Sequence, residues 1–126
     1  MIYLAKATES LLTAESEYVN GRYNSCANRC YYAAFQAAIA ALHEAGIRAT
    51  GGQWAHAFVP SQFVGQLVNR RHRYPPAIRS VLTDLQLLRH RADYSADLIT
   101  ESEAGRGLRR SRAFVAAIQP AGGERP

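Results

Sequence analysis

From Tyr23 to Ala45 the chain runs without a proline or a glycine. At about 1.5 Å per residue such a segment makes a helix roughly 34 Å long. Tyr31, Phe35, Ala38 and Leu42 recur along one side of it at helical spacing, and Tyr32 and Ile39 widen the apolar face. A helix that is apolar over so wide an arc must be covered on more than one side, which predicts a central helix with others packed around it. Ala33 to Leu42 holds a single polar residue, Gln36. That run is well short of the roughly 18 apolar residues a membrane helix needs. Gly46 supplies the exit, since glycine takes the left-handed conformation that ends helices.

The flanking segments supply the cover. Between Tyr3 and Val19, Leu4, Ala7, Leu11, Ala14 and Tyr18 form an amphipathic stripe, stopped by Asn20-Gly21. Ile47 to His56, with Gly51-Gly52 and Trp54, reads as a mobile loop, and the glycine pair lacks the strand and the lysine of a phosphate-binding loop. A short third helix is expected from about Pro60 to Asn69, with Phe63 and Leu67 on one face. Pro75-Pro76 should open a fourth helix reaching Tyr94, striped by Ile78, Val81, Leu82, Leu85 and Leu88. Thr100-Glu101-Ser102-Glu103 has the S/T-x-x-E form of a capping box, so a fifth helix starts there and carries Ala104, Leu108, Ser111, Phe114, Val115 and Ile118 up to Pro120. The reading is all-α: an antiparallel bundle of four or five helices in one domain over residues 1–119, followed by a disordered tail, residues 120–126.

Charge and cysteine usage narrow the chemistry. The net charge of +5 is uneven: residues 70–112 hold ten arginines against five acids. A basic half suits an anionic partner such as RNA, and an arginine-rich solvated face has the same composition. Cys26 and Cys30 stand one helical turn apart, which fits buried free thiols; neither they nor His43, His72 and His90 have the spacing of a metal site, so no metal or cofactor is expected. With no basic-then-apolar leader and no membrane span, a cytoplasmic location is expected.

Two motifs carry a resemblance. The central helix reads Arg29-Cys30-Tyr31-Tyr32-Ala33-Ala34-Phe35, and the fourth ends in Arg89-His90-Arg91-Ala92-Asp93-Tyr94. With His56, Val59 and Phe63 after the loop and Ala113-Phe114 in the last helix, the pattern resembles the HEPN (higher eukaryote and prokaryote nucleotide-binding) family. The ending is similar to the R-x-x-A-D-Y of one prokaryotic branch. The resemblance spans roughly residues 8 to 118. It implies a helical bundle that dimerises, that binds RNA or a nucleotide, and that works beside a minimal nucleotidyltransferase as one half of a toxin–antitoxin or defence pair. Catalytic members of the family are metal-independent ribonucleases whose arginine is followed four to six residues later by a histidine. An arginine fork can hold the phosphate there and a histidine can accept the 2′-hydroxyl proton.

Here Arg89 is followed by the polar His90, but Tyr94 stands where that histidine is expected, and no histidine follows His90. A phenol, with an ordinary pKa of about 10, is a poor base at neutral pH. That speaks against the usual ribonuclease route and leaves catalysis open, with Arg89 and Tyr94 as its candidates. The candidate ligand-binding set is Arg29, Tyr32, His56, Arg89, His90 and Asp93. Arg89 and Asp93, four apart, make either a surface ion pair or an arginine oriented to hold a phosphate. Arg29 either pairs with an acid such as Asp93 or lies exposed. His56 caps the third helix or faces the cleft. Tyr31 and Tyr32 read as core or dimer packing with hydroxyls in need of partners. The competing function is a non-catalytic protein-interaction module that regulates a partner enzyme. A nucleotide sensor comes third, since no glycine-rich phosphate loop exists.

Overall fold

The computed structural model describes residues 2–118. The helices are α1 (Ile2–Val19), α2 (Tyr23–Glu44), α3 (Phe58–Gln62), α4 (Val81–Tyr94) and α5 (Glu101–Ile118). Helix α3 continues directly into a π-helical segment, Phe63–Arg70, and 3-10 turns at Thr50–Gly52 and Pro76–Ile78 punctuate the connectors. No strand occurs among the described residues.

Both exits foreseen at glycine are closed by the same device. Gly21 (φ 75°) and Gly46 (φ 84°) adopt the left-handed conformation. Their N–H groups donate back to Tyr18 and His43, while the following Arg22 and Ile47 donate to Glu17 and Leu42. These crossed bonds satisfy carbonyls that the helix end would leave unpaired. The first reversal lays α1 against α2 in antiparallel sense, so that Tyr18 meets Tyr23 and Ser10 lies 2.7 Å from the carboxamide of Gln36. Helix α4 also runs antiparallel to α2, with Asp93 at Asn28 and Leu82 near Phe35. Helix α5 runs parallel to α2, since Asn24 meets Ile99 at one end and Ser111 donates to the Cys30 carbonyl further on. Helices α1, α4 and α5 therefore surround α2, as its wide apolar arc required. Cys26, Ala27, Cys30, Ala33, Ala34, Ala37 and Ala38 are all fully buried. Cys26 and Cys30 are free thiols with their sulfurs 3.8 Å apart.

Two boundaries differ from the sequence reading, and a third lies outside the described residues. Helix α3 begins at Phe58, which puts Pro60 in the first turn, where a missing N–H leaves no bond unmade. Pro75-Pro76 opens only the 3-10 turn; the α-helical ladder starts at Val81, where the apolar positions become buried, whereas Ala77, Arg79 and Ser80 remain exposed with no packing to impose a longer helix. Helix α5 is described to Ile118, so its closure at Pro120 and the tail of residues 120–126 lie outside the described residues. Glycines also occur inside α5. Gly105 and Gly107 are buried, and a Cβ on Gly107 would come within 2.9 Å of Leu88 Cδ2. Their cost to helix propensity, about 1 kcal/mol each, accompanies close approach of α5 to α1 and α4.

The capping box forms as read: Glu103 N–H donates to Thr100 Oγ1 at 3.1 Å and Thr100 N–H to Glu103 Oε1 at 3.0 Å. Arg91 from α4 donates to the same carboxylate at 2.6 Å, tying the two helices together. Thr100→Ala should lower unfolding free energy by about 1 kcal/mol in urea titrations. The Arg91 guanidinium and the Thr100 N–H hold the Glu103 carboxyl at about 2. Because this lies below the unfolded value of about 4.3, the associated stability is complete above that pH and is lost as pH falls toward 2. The urea midpoint should fall over that window, and the fall should be shallower in Glu103→Gln.

Candidate functional site

The inner face of α4 carries Leu82, Gln86, Arg89 and Asp93 at successive helical spacings, and it is turned toward α2. Arg89 is the centre of this row. Its Nη1 donates to Asp93 Oδ2 at 3.0 Å and its Nε to Gln86 Oε1 at 3.3 Å. The guanidinium lies 5.3 Å from the Tyr31 ring centroid and 5.8 Å from that of Tyr32. Only 12% of the Arg89 side chain is exposed, so this is no freely solvated surface pair. An arginine against aromatic faces gains about 0.5–2 kcal/mol, more as water is excluded.

Arg29 approaches the same aromatic from α2. Its guanidinium sits 4.9 Å from the Tyr32 centroid, and its Nε and Nη2 both donate to Asn28 Oδ1, at 3.0 and 2.7 Å. Asn28 Nδ2 in turn donates to Asp93 Oδ2 at 3.2 Å. Arg29 therefore neither pairs directly with Asp93 nor lies free: Asn28 relays between them. Asp93 thus pairs with Arg89 directly and is linked to Arg29 through Asn28, and both guanidiniums flank the Tyr32 ring.

His56, from the loop before α3, does not cap that helix but faces the recess between α2 and α4. Its Nδ1 lies 2.6 Å from Tyr31 Oη, and its ring stacks on Phe35 at 4.7 Å. Burial, opposed in part by Arg89, pushes the Tyr31 phenol up, whereas burial together with Arg89 pushes the His56 imidazole down. Both groups are thus held uncharged near neutral pH.

Arg29, Tyr32, His56, Arg89 and Asp93 are brought together; His90 and Tyr94 are not. Tyr94 lies five residues beyond Arg89, about 140° around the helix, whereas Asp93 is only about 40° away. Tyr94 is 70% exposed, and its ring packs 4.9 Å from the exposed His90. Neither residue makes a hydrogen bond to the Arg89 cluster among the described residues.

Sequence reasoning passed over Tyr31, Asn28, Gln86 and Phe35 as site residues. The signal for Gln86 was present, since it stands three residues before Arg89 on an otherwise apolar stripe. Asn28 likewise stands three and four residues before the tyrosine pair. Two recesses adjoin the cluster. One, of about 340 Å³, is lined by Tyr31, Phe35, His56, Leu82, Thr83 and Gln86 among others. The second, of about 400 Å³, is lined by the carboxylates of Glu17 and Asp93 together with Asn24, Asn28 and Arg29. Arg89 joins them through Gln86 on one side and Asp93 on the other.

His56 should titrate below the ordinary histidine value of about 6.5 when followed by NMR of its ring protons. In Arg89→Gln, which removes the neighbouring positive charge, that midpoint should move up.

No curated protein sequence matches the chain closely enough to count as a relative. A family model described as the HEPN domain matches residues 1–120. That match covers nearly the whole chain and falls on an all-α five-helix bundle, and on this ground the chain belongs to the HEPN domain family.

Proposed function

We propose that this protein binds RNA through the Arg89–Arg29–Tyr32 cluster and does so without the family's usual ribonuclease chemistry. The observation that carries the reading is the pair of guanidiniums beside the Tyr32 ring, one paired with Asp93 and the other linked to it through Asn28. Two arginine forks suit phosphate oxygens, and the adjoining aromatic rings suit unstacked bases. The net charge of +5 adds general attraction to a polyanion. Against catalysis by the usual route stands Tyr94, exposed and turned away from Arg89. His56 is the histidine that packs against the Arg89 cluster, and its Nδ1 is engaged by Tyr31.

The wider setting in this proposal is a cytoplasmic homodimer of the prokaryotic R-x-x-A-D-Y branch. The helical domain covers residues 1–119, and the protein acts beside a minimal nucleotidyltransferase in a toxin–antitoxin or defence pair. No helix among the described residues is long and apolar enough to cross a membrane. A second reading, a protein-interaction module that regulates a partner enzyme, has its own support. Leu87, Tyr94 and Leu98 are 66%, 70% and 77% exposed on and just beyond α4, an apolar surface suited to a protein partner.

Structured RNA incubated with the protein in EDTA should remain intact while being retained in a mobility-shift assay. The log–log dependence of affinity on salt should be steep, and Arg89→Ala or Arg29→Ala should each reduce its slope by about 1. Cleavage abolished by Arg89→Ala would establish catalysis instead, and the absence of any RNA binding at low salt would favour the protein-interaction reading. Sedimentation equilibrium should return twice the chain mass.

A further inference from the structure

The recess beside Gln86 carries a hydrogen-bonding pattern that phosphate binding does not use. Tyr31 is buried, and burial keeps its phenol protonated. Its hydroxyl has one hydrogen-bond partner among the described residues, His56 Nδ1 at 2.6 Å. The buried phenol proton has no other acceptor among the described residues, so the arrangement that leaves nothing unpaired has the hydroxyl donating and Nδ1 accepting, with the proton of the neutral imidazole on Nε2. In that tautomer His56 Nε2 is a donor. Gln86 Oε1 accepts from Arg89 Nε at 3.3 Å, so the amide nitrogen of the same carboxamide is left as a second donor. Thr83 gives its hydroxyl proton to the Ser80 carbonyl at 3.1 Å, which leaves the lone pairs of Oγ1 as an acceptor. All three side chains line one recess of about 340 Å³, with Tyr31 and Phe35 as its aromatic wall. That volume falls at the lower end of the range of small-molecule clefts, about 300–1,000 Å³.

Two donors and one acceptor beside an aromatic wall complement a planar ring whose edge offers two acceptors and one donor. Uracil has that edge, with two carbonyls flanking an N–H. Cytosine has the same count, with a carbonyl, a ring nitrogen and an amino group. Guanine presents one acceptor and two donors on its pairing edge, and adenine one of each. By count both pyrimidines match and neither purine does on its pairing edge; the order differs, acceptor–donor–acceptor in uracil and acceptor–acceptor–donor in cytosine, so a fixed site favours one of the two.

We propose that this recess, between α2, the segment leading into α3, and α4, takes one unstacked pyrimidine base of single-stranded RNA. The base lies against the aromatic wall and is hydrogen-bonded by His56 Nε2, Gln86 Nε2 and Thr83 Oγ1, with the adjoining phosphate on Arg89. The inference rests on the RNA-binding reading and adds a base preference to it.

Fluorescence anisotropy with end-labelled octauridylate, octacytidylate and octaadenylate, at one salt concentration, tests it. The better-bound of the two pyrimidine oligomers should bind the unmodified protein about tenfold more tightly than octaadenylate, since a site built to hydrogen-bond an edge rejects one that leaves its groups unpaired. Gln86→Met and His56→Phe should each narrow that gap by weakening the pyrimidine oligomers more than octaadenylate, which loses only what the altered setting of Arg89 costs. Gln86→Met decides the matter if His56→Phe, which strips the Tyr31 hydroxyl of its acceptor, fails to fold by circular dichroism. Equal affinity for all three oligomers overturns the base recess and leaves the phosphate reading intact, as does an equal loss for all three in the variants. Failure of every oligomer to bind at low salt overturns the RNA reading itself, and this inference with it.

Discussion

A helix enclosed on several sides has room for few large side chains, and α2 obeys that limit along most of its length. Its buried positions are mostly alanines and the two cysteines, with Tyr31, Phe35, Ile39 and Leu42 as the larger groups. Small side chains let α1, α4 and α5 draw close, and the glycines inside α5 extend the same logic to the helix that packs in parallel. Adding methylenes to so tightly packed an interior forces neighbours off their rotamers, commonly at about 1–3 kcal/mol. The bundle is therefore specified more by what α2 leaves out than by any single contact it makes.

Enclosure has a second consequence. Every polar atom that α2 carries inward must find a partner on another element, because an unpaired one costs about 1–3 kcal/mol. The partners are distributed one to each neighbour. Gln36 meets Ser10 on α1, the Cys30 carbonyl meets Ser111 on α5, and Asn24 takes the backbone N–H of Ile99 in the connector between α4 and α5. Asn28 meets Asp93 on α4, and Tyr31 meets His56 in the loop before α3. No buried side-chain nitrogen or oxygen among the described residues is left without a partner. Apolar packing alone would tolerate sliding of one helix along another; these links give each neighbour a single register. The Asn28 and Tyr31 links are also the ones that build the candidate site, so the groups that lock the bundle and the groups that line the recesses are in part the same.

What could be read from the sequence follows from how local each signal is. The glycine exits at Gly21 and Gly46, the Thr100–Glu103 capping box and the stripes of α1 and α5 are properties of a few neighbouring residues, and each is found as read. The prolines were read less well. Pro75-Pro76 fixes only its own turn, and where the α-helix begins depends on burial against α2, which no local pattern encodes. The site divides along the same line. That Arg89 and Asp93 share a face was plain from their spacing. That Asn28 would relay Arg29 to the same carboxylate, or that His56 would cross from the loop to Tyr31, depends on how the helices dock. Tyr94 illustrates the converse error: the motif put it beside Arg89 in sequence, and helical geometry turned it away.

That separation bears on what the arginine cluster can do. A phosphodiester transfer needs a proton acceptor and a phosphate-holding group around one atom, held within hydrogen-bond reach of each other through the substrate. In this chain the two guanidiniums are well fixed. Arg89 is clamped by Asp93 and Gln86, and Arg29 by Asn28, so neither guanidinium has to be ordered when a ligand arrives. Contacts set in advance in this way lower the ordering cost of binding an anion. His56 Nδ1 is engaged by the Tyr31 hydroxyl, and Tyr94 faces away. The substitution that could restore a base is therefore one that releases the imidazole, such as Tyr31→Phe, in which His56 Nδ1 loses its hydrogen bond.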